Sequence, residues 1–419
     1  MTAELITRAA ETKITLVYGA LSLGGIETLI VRLCDRLTAE GISVRLLCTG
    51  GELMTDLPPA AEVLIYSGWT EAFEKFSSIK REVEGTPHLL VTFDPTSAAL
   101  ASWLIGKSPR STGVRHITGI FHPRAYFLDG EDRLRRVLNR VILDNFHNDQ
   151  LFFMNVETRE SHTKWAARDF RNCPIIPLGI TDRQPSYAPG SRRDFRVVSV
   201  GRLVRFKDFN LAIPAIVSDL RSRGISISWK IFGSGEIEQE IRIKIAEFRV
   251  DQFVTLCGEL PYAAFSTELV RNDAFVGMGT SLLEAAMLGM PSIMAIDSEG
   301  AQTYGFIQDV PFGNVGERQD EPPTKKISEL LFELHSKSTA ERIDIGTASR
   351  DAVLGYSMSA YSASLVRIAV ESSAPRKWRS RLLGTFYHQT TDGLSRQSLR
   401  RLVRPFRIAI AALFRSTSA

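Results

Sequence analysis

Arginine and lysine stand five residues apart in Gly201-Arg202-Leu203-Val204-Arg205-Phe206-Lys207, directly after the β-branched run Val197-Val198-Ser199-Val200. An arginine can give a phosphate two parallel hydrogen bonds, and a lysine adds a compact point charge. Further on, the strand-like run 227–232 breaks into Gly233-Ser234-Gly235, and the run 253–256 ends at Gly258. A last glycine turn, Val276-Gly277-Met278-Gly279, opens into Thr280-Ser281-Leu282-Leu283-Glu284, a helical pattern carrying one carboxylate. Two cations, glycine loops and a helix start are the means of holding a phosphate-bearing ligand. Arg202 and Lys207 have a second reading as a solvated surface pair, and Glu284 as a carboxylate that offsets a helix dipole.

These side chains need a sheet to carry them. Strand, glycine loop and helix in repetition predict an open α/β sheet, whose ligands sit at the carboxyl ends of the strands. The spacing places helices over 211–220, with Pro214 bending the helix or delaying its start, over 236–248 and over 356–370. The first half repeats the scheme. Strands are predicted at 14–18 and 43–48, with Gly24-Gly25 and a helix over 28–40 between them. That glycine turn is aimed at a helix N-terminus, where an anion is favoured, or it is a tight turn and no more. Further strands are predicted at 89–93, 115–121, 151–155 and 173–177. The strand 115–121 ends at His122-Pro123, which puts an imidazole either on a ligand or in a structural role. Residues 181–193, with Pro185, Pro189 and Gly190, read as an interdomain linker.

The order of these pieces resembles the family 4 glycosyltransferases, which have the GT-B fold. The matching features are the Gly-Arg-Leu turn with Lys207, the loop Gly233 to Gly235, the strand ending in Gly258, and Glu284 as the second glutamate of a Glu-x7-Glu segment. Ile176-Pro177-Leu178-Gly179-Ile180 is similar to the Pro-x-Gly turn before the family's linker. The resemblance implies two Rossmann-like domains with parallel sheets facing a cleft: an acceptor-side domain over 1–183 and a nucleotide-sugar domain over 194–355. A helix over 356–375 then returns to the first domain. It implies transfer of a hexosyl group with retention of configuration, from a nucleotide sugar to a polysaccharide or lipid-linked acceptor. Arg202 and Lys207 would act on the leaving diphosphate, and His122 and Gly24-Gly25 would lie near the donor sugar. Gly233, Gly235, Gly279, Thr280, Ser281, Leu282 and Glu284 would bind the donor, with Glu284 on the ribose hydroxyls. The first glutamate of the motif is replaced by Val276. A catalytically silent GT-B module and a nucleotide-sugar epimerase are the alternative readings.

Composition bounds the rest. At 419 residues, 44% hydrophobic and 23% charged, the chain suits a soluble protein of two or three domains. No run reaches the ~18 apolar residues that span a bilayer, and residues 1–13 lack a signal peptide's apolar core, which predicts a cytoplasmic location. Cys34, Cys48, Cys173 and Cys257 lack metal-ligand spacing and read as buried thiols. The resemblance implies a metal-free mechanism with no cofactor besides the donor, and the absence of any Asp-x-Asp in the sequence agrees with it. Residues 376–419 hold ten basic side chains against Asp392 alone, a net +9, while the remainder, 41 basic against 46 acidic, carries −5. With Leu399, Leu402, Val403 and Phe406 at helical spacing, this tail reads as a basic amphipathic helix for an anionic membrane surface. A docked or disordered arm and nucleic-acid binding are its other readings, of which nucleic acid is not the expected partner.

Overall fold

Short apolar runs alternating with helical segments build two Rossmann-like units. The computed structural model describes residues 13–22, 24–82, 88–107, 113–127, 133–189, 194–319 and 321–374. Of these, the residues up to Ile176 and those from Ser362 on form one unit, and Pro177–Tyr361 form the other.

The first unit is a parallel sheet of β1 (Lys13–Val17), β2 (Val44–Cys48), β3 (Glu62–Ile65), β4 (His88–Thr92), β5 (Val114–Ile120) and β6 (Leu151–Phe153), in the order β3-β2-β1-β4-β5-β6. Ile14 faces Val44 on one side and Leu89 on the other. Helices α1 (Gly25–Ala39), α2 (Trp69–Glu82), α3 (Pro95–Lys107), α4 (Arg133–Asn145) and α5 (Val156–Ala166) connect the strands. β2 and β4 are buried along their whole length, as parallel strands covered on both faces must be. The order reverses between β1 and β4, the point at which such sheets leave a crevice.

The second unit repeats the plan with β7 (Phe195–Val200), β8 (Ile227–Phe232), β9 (Val254–Leu256), β10 (Ala274–Gly277) and β11 (Ser292–Met294), in the order β11-β10-β7-β8-β9. Its switch point lies between β7 and β10, where Val197 faces Ala274. The helices are α6 (Phe209–Ser222), α7 (Glu238–Glu247), α8 (Phe265–Leu269), α9 (Thr280–Met287), α10 (Ile327–Ser336) and α11 (Thr339–Val353). One core joins β7, β8 and β10 to α6 and α10 through Val197, Trp229, Val276, Ile213 and Leu331. A second packs α9 against the opposite face through Leu282, Ala285 and Ala286. The last described helix, α12 (Met358–Glu371), starts in this unit and ends in the first, where Ser362 donates to Glu40 and Arg115 to the Ser372 carbonyl.

Several expectations are corrected. Residues 173–177 form no strand; Ile175 makes only an isolated bridge to Phe153. Pro214 does not delay its helix, which starts at Phe209 and buries the proline in its second turn. The first helix starts at Gly25, because Gly24 serves as its extended N-cap and its carbonyl accepts the Thr28 N–H at 3.0 Å. The segment 177–183 falls in the second unit: Ile180 N donates to the Tyr356 carbonyl at 2.8 Å, and Met358 N to the Ile180 carbonyl at 2.9 Å. No helix among the described residues is long and apolar enough to cross a membrane. The predicted tail helix lies outside the described residues.

Candidate functional site

At the switch point of the second sheet, main-chain atoms knit the glycine loops together. Gly201 N donates to the Phe232 carbonyl at 3.0 Å, Leu203 N to the Ser234 carbonyl at 2.9 Å, and Gly233 N to the Gly258 carbonyl at 2.7 Å. The Gly-Arg-Leu turn and the Gly-Ser-Gly loop therefore lie backbone on backbone. Gly233 and Gly235 sit at φ 143° and 150°, and a β-carbon on either would overlap the carbonyl of Gly201 or Leu203. Only glycine permits that approach.

The cations of the turn have different fates. Arg205 is bound in a fork by Glu240, at 2.9 and 3.0 Å. Arg202 is exposed and Lys207 half-buried, and among the described residues neither has a carboxylate partner. Lys207 Nζ lies beneath the turn, 2.9 Å from where a β-carbon of Gly201 would stand. Burial, with a contribution from the charge of Arg202, lowers the Lys207 pKa from its ordinary value. Asp208, the neighbouring acid, is engaged elsewhere, accepting the Gly300 N–H at 2.9 Å. A half-buried cation beside a second cation favours an anion between them.

Helix α9 aims at the same place. Gly279 caps it at φ 73°, with no side-chain cap, and its first N–H groups have no partner within the helix. Ser281 ties it to the turn, its hydroxyl donating to the Val200 carbonyl at 2.8 Å. Thr280 is exposed, whereas Leu282 is wholly buried and offers a ligand only its main chain. The structure thus brings Arg202, Lys207, Gly233, Gly235, Gly279, Thr280 and Ser281 to one sheet edge.

Glu284 lies deeper, as the fifth residue of α9, beyond the first turn where a helix dipole acts. Its carboxylate is buried and takes Arg183 at 3.1 Å and the Tyr262 hydroxyl at 3.3 Å. Sequence reading missed both partners, since Arg183 lies in the stretch taken for a linker. Val276 is inside β10, fully buried in the core, and its carbonyl accepts Ser199 Oγ at 2.7 Å.

The remaining sites belong to the first unit. Gly24-Gly25 follows β1 at that sheet's switch point. Glu27 folds back over Gly24, where a β-carbon would strike its carboxylate, and accepts the Tyr18 hydroxyl at 3.0 Å. The acid thus stands at the helix start where an anion was expected. His122 is exposed just past β5, its Nδ1 accepting the Arg124 N–H at 3.1 Å, which leaves the proton of a neutral ring on Nε2. His88, His116 and His162, by contrast, are buried.

No protein-family profile matches the chain. It is 24% identical over 156 residues to a putative colanic acid biosynthesis glycosyltransferase, WcaL, of Escherichia coli (strain K12). That match covers 32% of this chain and spans only 38% of the relative's length. A glycosyltransferase structure from Rickettsia africae ESF-5 superimposes with a TM-score of 0.58 at 12% identity, over 86% of this chain and 100% of that one. A sucrose-phosphate synthase from Thermosynechococcus elongatus gives 0.55 at 14% identity, over 85% and 98%. With two Rossmann-like parallel sheets and these neighbours, the fold is GT-B.

Proposed function

We propose that the chain is a glycosyltransferase that moves a sugar from a nucleotide-sugar donor to a cell-surface polysaccharide or lipid-linked acceptor, with retention of configuration and without a metal. The observation that carries this reading is the second unit's switch point, where Arg202, Lys207 and the α9 N-terminus converge with no acid on either cation among the described residues. The partial likeness to WcaL supports a surface-polysaccharide acceptor. In the reaction the bond between anomeric carbon and phosphate oxygen breaks, and negative charge grows on the departing diphosphate. Fixed cations and helix N–H groups stabilise that charge more than they stabilise the bound donor, which lowers the barrier. His122 is assigned to the donor sugar, and Glu284 to the ribose hydroxyls.

Turnover measured across a panel of nucleotide sugars tests the activity and names the donor. Arg202→Ala and Lys207→Ala are each expected to weaken nucleoside diphosphate binding about tenfold or more, since a hydrogen bond to a charged group contributes ~1.5–3 kcal/mol. Unchanged binding and turnover in both variants would remove the diphosphate assignment. Val276, an apolar residue where the family has a glutamate, favours the silent module as the second reading; binding without turnover on any donor would establish it. The +9 charge of residues 376–419 further assigns the chain to an anionic membrane surface. Deleting that tail is expected to abolish flotation with anionic vesicles, and equal flotation of both forms rejects the assignment.

A further inference from the structure

Arg183 reaches Glu284 from a segment fastened along the second unit. Ser186 N and Tyr187 N donate to the Leu288 carbonyl at 3.0 and 3.1 Å, and the Arg183 carbonyl accepts from Arg350 at 2.8 Å. One arm of the Arg183 guanidinium donates to Glu284 Oε2 at 3.1 Å and another to Ser266 Oγ. Its face lies over the rings of Tyr262 and Phe265, 5.0 and 5.5 Å from their centroids. The other carboxylate oxygen, Oε1, accepts from the Tyr262 hydroxyl at 3.3 Å, and Thr181 Oγ1 lies 2.8 Å from that same hydroxyl. The two partners differ in exposure: the Arg183 side chain is 16% exposed, whereas Tyr262 is 49% exposed. One oxygen is locked from within, and the other is covered by a ring at the surface.

We infer that Arg183 is a positioning residue for ribose recognition, a step that rests on the nucleotide-sugar reading of this site. It holds Glu284 oriented, so that Oε1 accepts from the vicinal 2′,3′-diol of the nucleotide once the Tyr262 ring turns aside. A carboxylate that loses this arm reorients, and then no longer offers a fixed acceptor. The fork is needed as well as the charge, because one arm must stay on Ser266 while the other holds Glu284.

The test is titration calorimetry on the full chain with uridine, guanosine and adenosine diphosphates and their 2′,3′-dideoxy counterparts. For the base that binds, the wild type is expected to prefer the ribose form by about tenfold, the value of one charge-assisted hydrogen bond. Arg183→Met should bring that ratio to about one and leave affinity for the dideoxy form unchanged, because Arg202 and Lys207 still hold the diphosphate. Arg183→Lys keeps the buried charge and carries the test if the methionine variant does not fold; its ratio should fall several-fold. An unchanged ratio in a folded variant, or equal weakening of both ligand forms, overturns the inference. A wild type that binds diphosphates without preferring ribose overturns it too and leaves the nucleotide reading standing. If the wild type binds no diphosphate, both fall.

Discussion

Glu284 and Val276 stand on a helix and the strand just before it, yet removing their side chains has different physical consequences. Val276 is buried in the core that joins the sheet to α6 and α10, and its carbonyl ends a chain running from Trp229 Nε1 through Ser199 Oγ, at 3.0 and 2.7 Å. Val276→Ala leaves that chain in place and opens a small cavity, which should cost ~2 kcal/mol. Glu284→Ala strips Arg183 of its buried carboxylate, and breaking such a pair costs about 3–5 kcal/mol. Urea unfolding of the two variants should therefore rank Glu284→Ala as the less stable, and the reverse order would mean that the ion pair contributes little. Binding data on Glu284→Ala are to be read beside that loss. The cations were legible in the sequence because charge type and spacing survive without a structure. Arg183 was not, because its carboxylate lies 101 residues away and prolines follow it closely.

At the scale of elements, the loops position the chemistry by main-chain contact. Gly233→Ala should drive the Gly-Ser-Gly loop off the Gly201 carbonyl and shift Arg202 with it, since the added methyl has no free space and an unsuitable φ. Affinity for a nucleoside diphosphate should fall more than about tenfold, with a stability loss of about 1–3 kcal/mol. Gly279→Ala tests a neighbouring loop where open space surrounds the added methyl but φ is 73°, so its effect should be smaller. Equal losses in both variants, by calorimetry and melting, would show that φ rather than the contact is what matters. Strands bounded by glycine, such as Ile227–Phe232, were legible end to end. Helix α3 was not, because it is buried nearly all round and so lacks a polar stripe to reveal its period. The three-residue strand Ser292–Met294 is too short for any alternation to show.

Across the molecule, the two units share a sheet plan but differ in what acid does to them. His88, His116 and His162 all lie buried in the first unit, with neutral rings held by Thr15, Thr92 and the Thr158 carbonyl. Burial pushes their pKa values down to about 4, 3 and 4, against about 6.5 when unfolded. Between these values the unfolded chain binds protons that the folded unit refuses, so stability rises with pH through this window and is complete above it. As pH falls from about 6.5 towards 4, each histidine should remove about 1.4 kcal/mol per pH unit. The second unit has one described histidine, His335, half-exposed and lowered mainly by burial, with help from the nearby Arg342. Hydrogen exchange at about pH 7.5 and about pH 5, converted to opening free energies, should show β4 and β5 losing protection while β7 and β8 keep most of theirs. His116→Gln, which removes one titrating ring from beside Thr92, should flatten that pH dependence by about a third whatever it does to stability at neutral pH. If β7 opens first, or if the slope in the first unit is unchanged by His116→Gln, buried histidines are not what makes that unit acid-sensitive.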